Sequence, residues 1–151
     1  MREDAAMDTA EEDPTLARLA HFFEHLRPDT LVQLGAHYHP TVVFKDPFQE
    51  VQGLAALQRI FRHMFDVLEA PRFVVHTRVR QGQEAFLTWD FHGRARGWAF
   101  TLHGASYLRF GDDGRIVLHR DYWDTAEELY AKLPGLGGVV RWLRRRLAAP
   151  Q

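Results

Sequence analysis

The sequence predicts an α+β domain whose helices gather on one face of a curved antiparallel sheet. Three observations carry this prediction. Apolar residues recur at helical spacing in the first half of the chain, over residues 15–26 and 54–68. After Pro71 the pattern changes to alternating strands separated by GQ, GRARG and GDDG, which are hairpin sequences. The resulting order is helix, helix, strand, helix and then a meander, so helices and strands are segregated.

Each element has its own local reason. Thr15 to Leu26 reads as a helix because Leu16, Leu19, Phe23 and Leu26 share one side and Pro14 sits at its start. Arg27-Pro28 breaks it. A second short helix follows, with Leu31, Leu34 and Tyr38 on one side, and Pro40 ends it. Thr41 to Phe48 has the β-branched and aromatic residues of a strand, and Pro47 confines its end to an edge or bulge. Gly53 opens the clearest helix, with Leu54, Leu57, Ile60, Phe61, Met64, Phe65 and Leu68 as its apolar stripe. Four strands follow, at Arg72–Arg80, Glu84–Gly93, Trp98–Phe110 and Arg115–Asp124. A helix is expected over Thr125–Lys132, capped by Asp124 and Thr125, and a last amphipathic helix carries Val140, Leu143 and Leu147.

Composition excludes several function classes. The chain has 151 residues, 46% hydrophobic and 13% aromatic, which suits one domain with a sizeable core. There is no cysteine, so disulfides, thiolate metal sites and a thiol nucleophile are excluded. No apolar run approaches the roughly 20 residues of a membrane helix. The acidic start, MREDAAMDTAEED, has no apolar core of the signal-peptide kind. A soluble, cytoplasmic protein without membrane association is the expectation. Residues 1–13 carry six acids against one base, whereas VVRWLRRRLAAPQ carries four arginines and no acid. The arginines read as a solvated basic face. Contact with an anionic surface is the sharper alternative, but no second basic stripe supports a nucleic-acid partner.

Strand alternation assigns the sheet's faces. If Gly93 and Trp98 flank a four-residue turn, Phe91 pairs with Phe100, Trp89 with Leu102 and Leu87 with Gly104, all facing the helices. In the next hairpin, pairing Phe110 with Arg115 sets Ser106 opposite His119, Gly104 opposite Asp121 and Leu102 opposite Trp123. Ser106, His119, Asp121 and Trp123 then join the aromatics inside, and Asp46 can reach them from the first strand. An aspartate and a histidine two residues apart on an apolar face have two readings. They brace the sheet as satisfied polar groups, or they converge in a pocket as an acid/base pair.

The element order, FKDPF after the second helix, and YLRFGDDGRIVLHRDYWD resemble the nuclear transport factor 2-like superfamily. That superfamily includes SnoaL-like polyketide cyclases, ketosteroid isomerases and limonene-epoxide hydrolases. The resemblance covers roughly residues 14–133. It implies a cone-shaped sheet packed against three helices around one pocket, usually dimeric through the sheet. The chain then divides into an acidic disordered tail (1–13), the cone domain (14–133) and a basic C-terminal helix (134–151). Asp46 in FKDPF matches the general base of ketosteroid isomerase-like sequences. Phe22 and Phe23 stand where the oxyanion tyrosine is wanted, and Ser106 where the second aspartate is wanted. Asp121 in RDYWD matches the water-activating aspartate of limonene-epoxide hydrolase-like sequences. Phe44 and Asp46 replace that family's tyrosine and asparagine, and the middle strand, TWDFHG, lacks its arginine.

His21 and His25 fit an H-x-x-E-H zinc pattern, but with Arg18 they form a solvated helix side and no third ligand follows. Asp112-Asp113-Gly114 reads as a turn. No phosphate loop or dinucleotide fingerprint is present, so neither metal nor organic cofactor is expected. The favoured reading is an enzyme acting on a small hydrophobic molecule. Asp121 is its general base, His119 a relay, Asp46 a second acid/base and Ser106 a donor, with Phe44, Trp89, Phe100 and Trp123 as walls. The alternative is a non-catalytic binding module built on the same cone and sheet. The outward face mixes Tyr107, Ile116, Leu118 and Tyr122 with Thr101, His103 and Arg120, which predicts a homodimer through the sheet.

Overall fold

A computed structural model of the chain describes residues 11–123, 142 and 145–148. The first ten residues of the acidic tail, the helix expected over Thr125–Lys132 and the rest of the C-terminal segment 134–151 lie outside the described residues.

Helix α1 spans Pro14–Glu24. The Asp13 carboxylate accepts from the backbone N–H groups of Thr15 and Leu16 at 2.9 and 3.1 Å, satisfying two donors that lack helical partners. Leu16, Leu19, Phe22 and Phe23 are buried, and each such side chain contributes about 1.5–3 kcal/mol on leaving water. The second helix expected from sequence is instead a 3-10 turn, Pro28–Gln33, followed by one α-turn, α2, over Leu34–His37. Tyr38 leaves the helix and opens strand β1, Tyr38–Lys45. This strand stops before Pro47, which has no N–H for a ladder. A short edge strand, β2 (Glu50–Gln52), precedes α3 (Leu54–Val67). The α3 stripe buries Leu57, Ile60 and Phe61.

The remaining strands are β3 (Glu69–Gln81), β4 (Glu84–Ala95), β5 (Trp98–Phe110) and β6 (Ile116–Tyr122). Together with β1 and β2 they form one six-stranded sheet in the order β2-β1-β6-β5-β4-β3. The sheet is mixed, where a purely antiparallel one was expected. Strand β1 runs parallel to β6, with Phe44 beside His119. No hairpin joins these two strands, so nothing local imposes an antiparallel pairing. Helices α1 and α3 cover one face, against β3 and against β1 and β3 respectively. Trp142 and Leu147 of the C-terminal segment pack on the same core. Among the described residues no helix is long and apolar enough to cross a membrane.

The β4–β5 register differs from expectation by two residues, and the β5–β6 register by one at Phe110 and by two past a bulge; the shifts by two preserve the faces. The β4–β5 turn is two residues, Arg96-Gly97, both with positive φ (51° and 80°), so Phe91 pairs with Leu102 and Leu87 with Ser106. In β5–β6, Phe110 pairs with Ile116 and then Arg109 with Leu118, which leaves Val117 as a bulge. Past the bulge, Ser106 pairs with Asp121 and Leu108 with His119. The bulge also corrects the expected outward place of Ile116. One extra residue reverses the alternation there, and Ile116 is fully buried.

Candidate functional site

Strands β6 and β5 carry the centre of the site. Residues two apart on a strand share a face, so His119 and Asp121 both project under the helices, and the Ser106–Asp121 pairing brings a hydroxyl alongside. His119 Nε2–H donates to Asp121 Oδ1 at 2.7 Å. The Ser106 hydroxyl donates a short hydrogen bond to the same Oδ1. The indole N–H of Trp89 donates to Ser106 Oγ at 2.9 Å. At the other end, the Tyr38 hydroxyl meets His119 Nδ1 at 2.8 Å. Because a carboxylate only accepts, Nε2 carries a ring proton, and in the neutral tautomer this sets, Nδ1 accepts from the Tyr38 hydroxyl. The chain of bonds therefore converges on Asp121 from both sides. Among the described residues, neither bond to Asp121 uses Oδ2.

Packing holds this network in place. The Tyr38 ring stacks on His119 with centroids 5.9 Å apart, and Phe44 meets the imidazole edge-on at 4.9 Å. Trp89 lies across Gly104, its cross-strand partner. A Cβ at that position would come within 2.3 Å of the indole. Glycine is required there by close approach, not by φ. Tyr38 is completely buried, and burial together with the Asp121 charge pushes its phenol well above the usual tyrosine range.

Among the described residues, Asp121 borders two spaces. One is a narrow cavity of about 20 Å³, lined by Phe23, Phe61, Phe73, Val75, Leu87 and Trp89 together with Ser106, His119 and Asp121. That is room for about one water molecule. The other is an open groove of about 510 Å³ at the end of β6, shared with Lys45, Asp46, Arg120 and Trp123. In this groove Asp46 is a turn residue as well as an acid. Its Oδ1 accepts from the N–H groups of Phe48 and Gln49 at 2.8 and 2.9 Å, and its Oδ2 from the Gln49 amide at 3.3 Å. Burial nevertheless raises its carboxyl above the usual range. The Asp121 charge acts in the same sense, while the hydrogen bonds act against it.

The structure thus brings Asp121, His119, Ser106 and Trp89 into one connected cluster. Phe44 supports the cluster from β1 without lining the cavity. Asp46 and Trp123 line the groove, with Trp123 packed on Phe48 at 5.3 Å. Phe100 lies apart, over Gly93 and against Phe91 at 6.0 Å. Tyr38 was missed by sequence reasoning. Its place on the apolar side with Leu31 and Leu34 signalled burial, but nothing in the sequence signalled its histidine partner. Phe23 and Phe61 were legible as helix-stripe residues, though not as cavity walls. Among the described residues, no three His, Asp or Glu side chains are grouped so as to hold a metal ion.

Comparison with known proteins identifies the family and the fold. The sequence model of a family described as SnoaL-like domain matches residues 19–119. No curated protein matches the chain. A Catenulispora acidiphila protein with a ketosteroid isomerase-like fold, solved in complex with trimethylamine, aligns with a TM-score of 0.68 at 16% identity, covering 82% of this chain and 96% of its own. An NTF2-like protein of unknown function from Burkholderia pseudomallei gives 0.68 at 20%, covering 79% and 97%. An LEH-like epoxide hydrolase of M. tuberculosis gives 0.67 at 19%, covering 84% and 95%. At these identities the likeness to solved structures is one of fold.

Proposed function

The chain belongs to the SnoaL-like domain family, and from that premise we propose that it is a cofactor-independent acid/base enzyme acting on a small, largely apolar molecule. The observation that carries this reading is the setting of Asp121. The carboxylate stands on the wall of an apolar cavity, with both hydrogen bonds on Oδ1 and Oδ2 uncommitted among the described residues. A base held in this way is oriented with one oxygen left to take a proton. In the proposed reaction Oδ2 takes a proton from the substrate or from a water beside it. For an isomerisation or cyclisation, the resulting carboxyl returns that proton to another atom of the same molecule. His119 and Ser106 position the carboxylate, and Tyr38 fixes the imidazole tautomer. Asp46, whose raised pKa favours its protonated form at a given pH, is the second acid/base at the groove.

The deciding experiment compares the protein with Asp121→Asn across a panel of small carbonyl and epoxide compounds. Turnover that falls about 10²–10⁴-fold in the variant is the expected result. A second reading, a non-catalytic binding module, is favoured by the small cavity, which admits nothing larger than about one water without displacement of its aromatic walls. That reading predicts no turnover with any compound and equal ligand affinity in both proteins.

We also propose that two copies pair through the outer face of the sheet. Phe86 and Tyr122 are 46% and 45% exposed there, and Phe86 packs beside Tyr107 at 5.4 Å. Such a patch suits an interface core.

A further inference from the structure

Helix α1 has a second side with a different chemistry. Phe23, on its buried stripe, lines the narrow cavity beside Asp121. Arg18, His21 and His25, spaced three and four residues apart, are exposed on the other side. They border an open groove of about 680 Å³ between α1 and the segment through α2, which Arg27 and His37 complete. Phe22 forms part of its floor, with the His37 ring 4.4 Å away.

The charge here is one-sided. Among the described residues, no acidic side chain lines the groove. Asp29, on the adjoining 3-10 turn, is engaged by Arg27 at 3.1 Å in an exposed pair. Glu24, the acid on α1 itself, is turned to β3, where it accepts from the Val75 N–H at 3.3 Å. The basic groups are crowded as well. The His21 and His25 rings stack at 4.0 Å, and His25 Nδ1–H donates to the His21 carbonyl, which leaves its Nε2 uncommitted. Partial burial and the neighbouring Arg18 charge push the His37 imidazole below its usual value. Thr30 and Gln33 add neutral hydrogen-bonding groups to the rim.

We propose that this groove is a binding site for a compact oxyanion bearing more than one negative charge, phosphate in type. Such a ligand relieves the repulsion among these side chains and accepts several charge-assisted hydrogen bonds at once. Three of the five basic groups are histidines, which hold an oxyanion best when protonated, so a ligand that keeps its own charge is held more tightly at lower pH. The site is separate from Asp121 and independent of whether that residue is catalytic.

The test uses the full chain, titrated with inorganic phosphate and with pyrophosphate at constant ionic strength, against chloride as the control anion. Histidine ring resonances report binding, at about pH 6 and about pH 7.5. The expected result is saturable shifts of His21, His25 and His37, with pyrophosphate, which stays multiply charged at both pH values, bound several-fold more tightly at the lower pH. Arg18→Ala, at an exposed position, and His37→Gln each weaken binding several-fold, while Arg62→Ala, on the exposed side of α3, leaves it unchanged. Shifts that do not saturate, that chloride reproduces, or that survive both Arg18→Ala and His37→Gln overturn the proposal.

Discussion

Replacing Tyr38 with phenylalanine removes one oxygen from the centre of the buried network and little else. The ring is completely buried and stacks on His119 at 5.9 Å with an interplanar angle of 8°, a contact that phenylalanine retains. What is lost is the 2.8 Å hydrogen bond to His119 Nδ1. A buried hydrogen bond contributes about 0.5–1.5 kcal/mol net, and an acceptor left orphaned costs about 1–3 kcal/mol. His119 is only 3% exposed, so water does not replace the hydroxyl, and the cost lies toward the upper part of that range. Against this, the hydroxyl no longer has to be desolvated. The expected loss is about 1–2 kcal/mol, a fall in Tm of roughly 3–8 °C for a domain of this size. Urea unfolding of Tyr38→Phe, His119→Leu and the double variant closes a cycle whose coupling is expected near 1 kcal/mol. A Tyr38→Phe midpoint equal to that of the parent, together with zero coupling, refutes the claim that Tyr38 fixes the His119 tautomer.

Three further outcomes follow from the geometry. Gly104→Ala forces the Trp89 indole off its cross-strand seat, because the added Cβ meets it at 2.3 Å. The loss of the Trp89–Ser106 bond and of packing is expected to cost about 2–3 kcal/mol, with red-shifted tryptophan emission as the spectroscopic check. For Asp46 the folded carboxyl titrates above its unfolded value, so its contribution is greatest below the unfolded pKa and is lost as the pH rises through the folded one. Asp46→Asn, which can still accept from Phe48 and Gln49, is therefore expected to gain stability relative to the parent between pH 4 and pH 7. Denaturation midpoints that diverge in the opposite sense contradict this. For the sheet interface, sedimentation at micromolar concentration is expected to show a dimer, and Phe86→Glu a monomer. A parent protein that sediments only as a monomer removes that proposal.

Periodicity and turn sequences determined the class of fold and the order of its main elements, though not the short edge strand β2, because burial on one face imposes a spacing of 3.6 or 2 residues that survives in the sequence. The same alternation placed Ser106, His119 and Asp121 on one face. At these residues the registers were wrong by two, and that error is harmless to facing. Local chemistry was also legible at Pro14, Gly53 and the GDDG turn, whereas the Asp13 cap was not read from the sequence. The Val117 bulge was not, so Ile116 was assigned to the wrong side. A bulge is a two-strand property, and its sequence cost is a single residue. The parallel β1–β6 pairing was equally hidden, because strands separated by more than sixty residues carry no turn to announce their direction. Tertiary structure alone decided that Tyr38 belongs with His119, that Phe100 lies apart, and that Asp121 borders both a water-sized cavity and an open groove. These are relations between distant segments. Their energies come from packing and buried hydrogen bonds, which have no period along the chain.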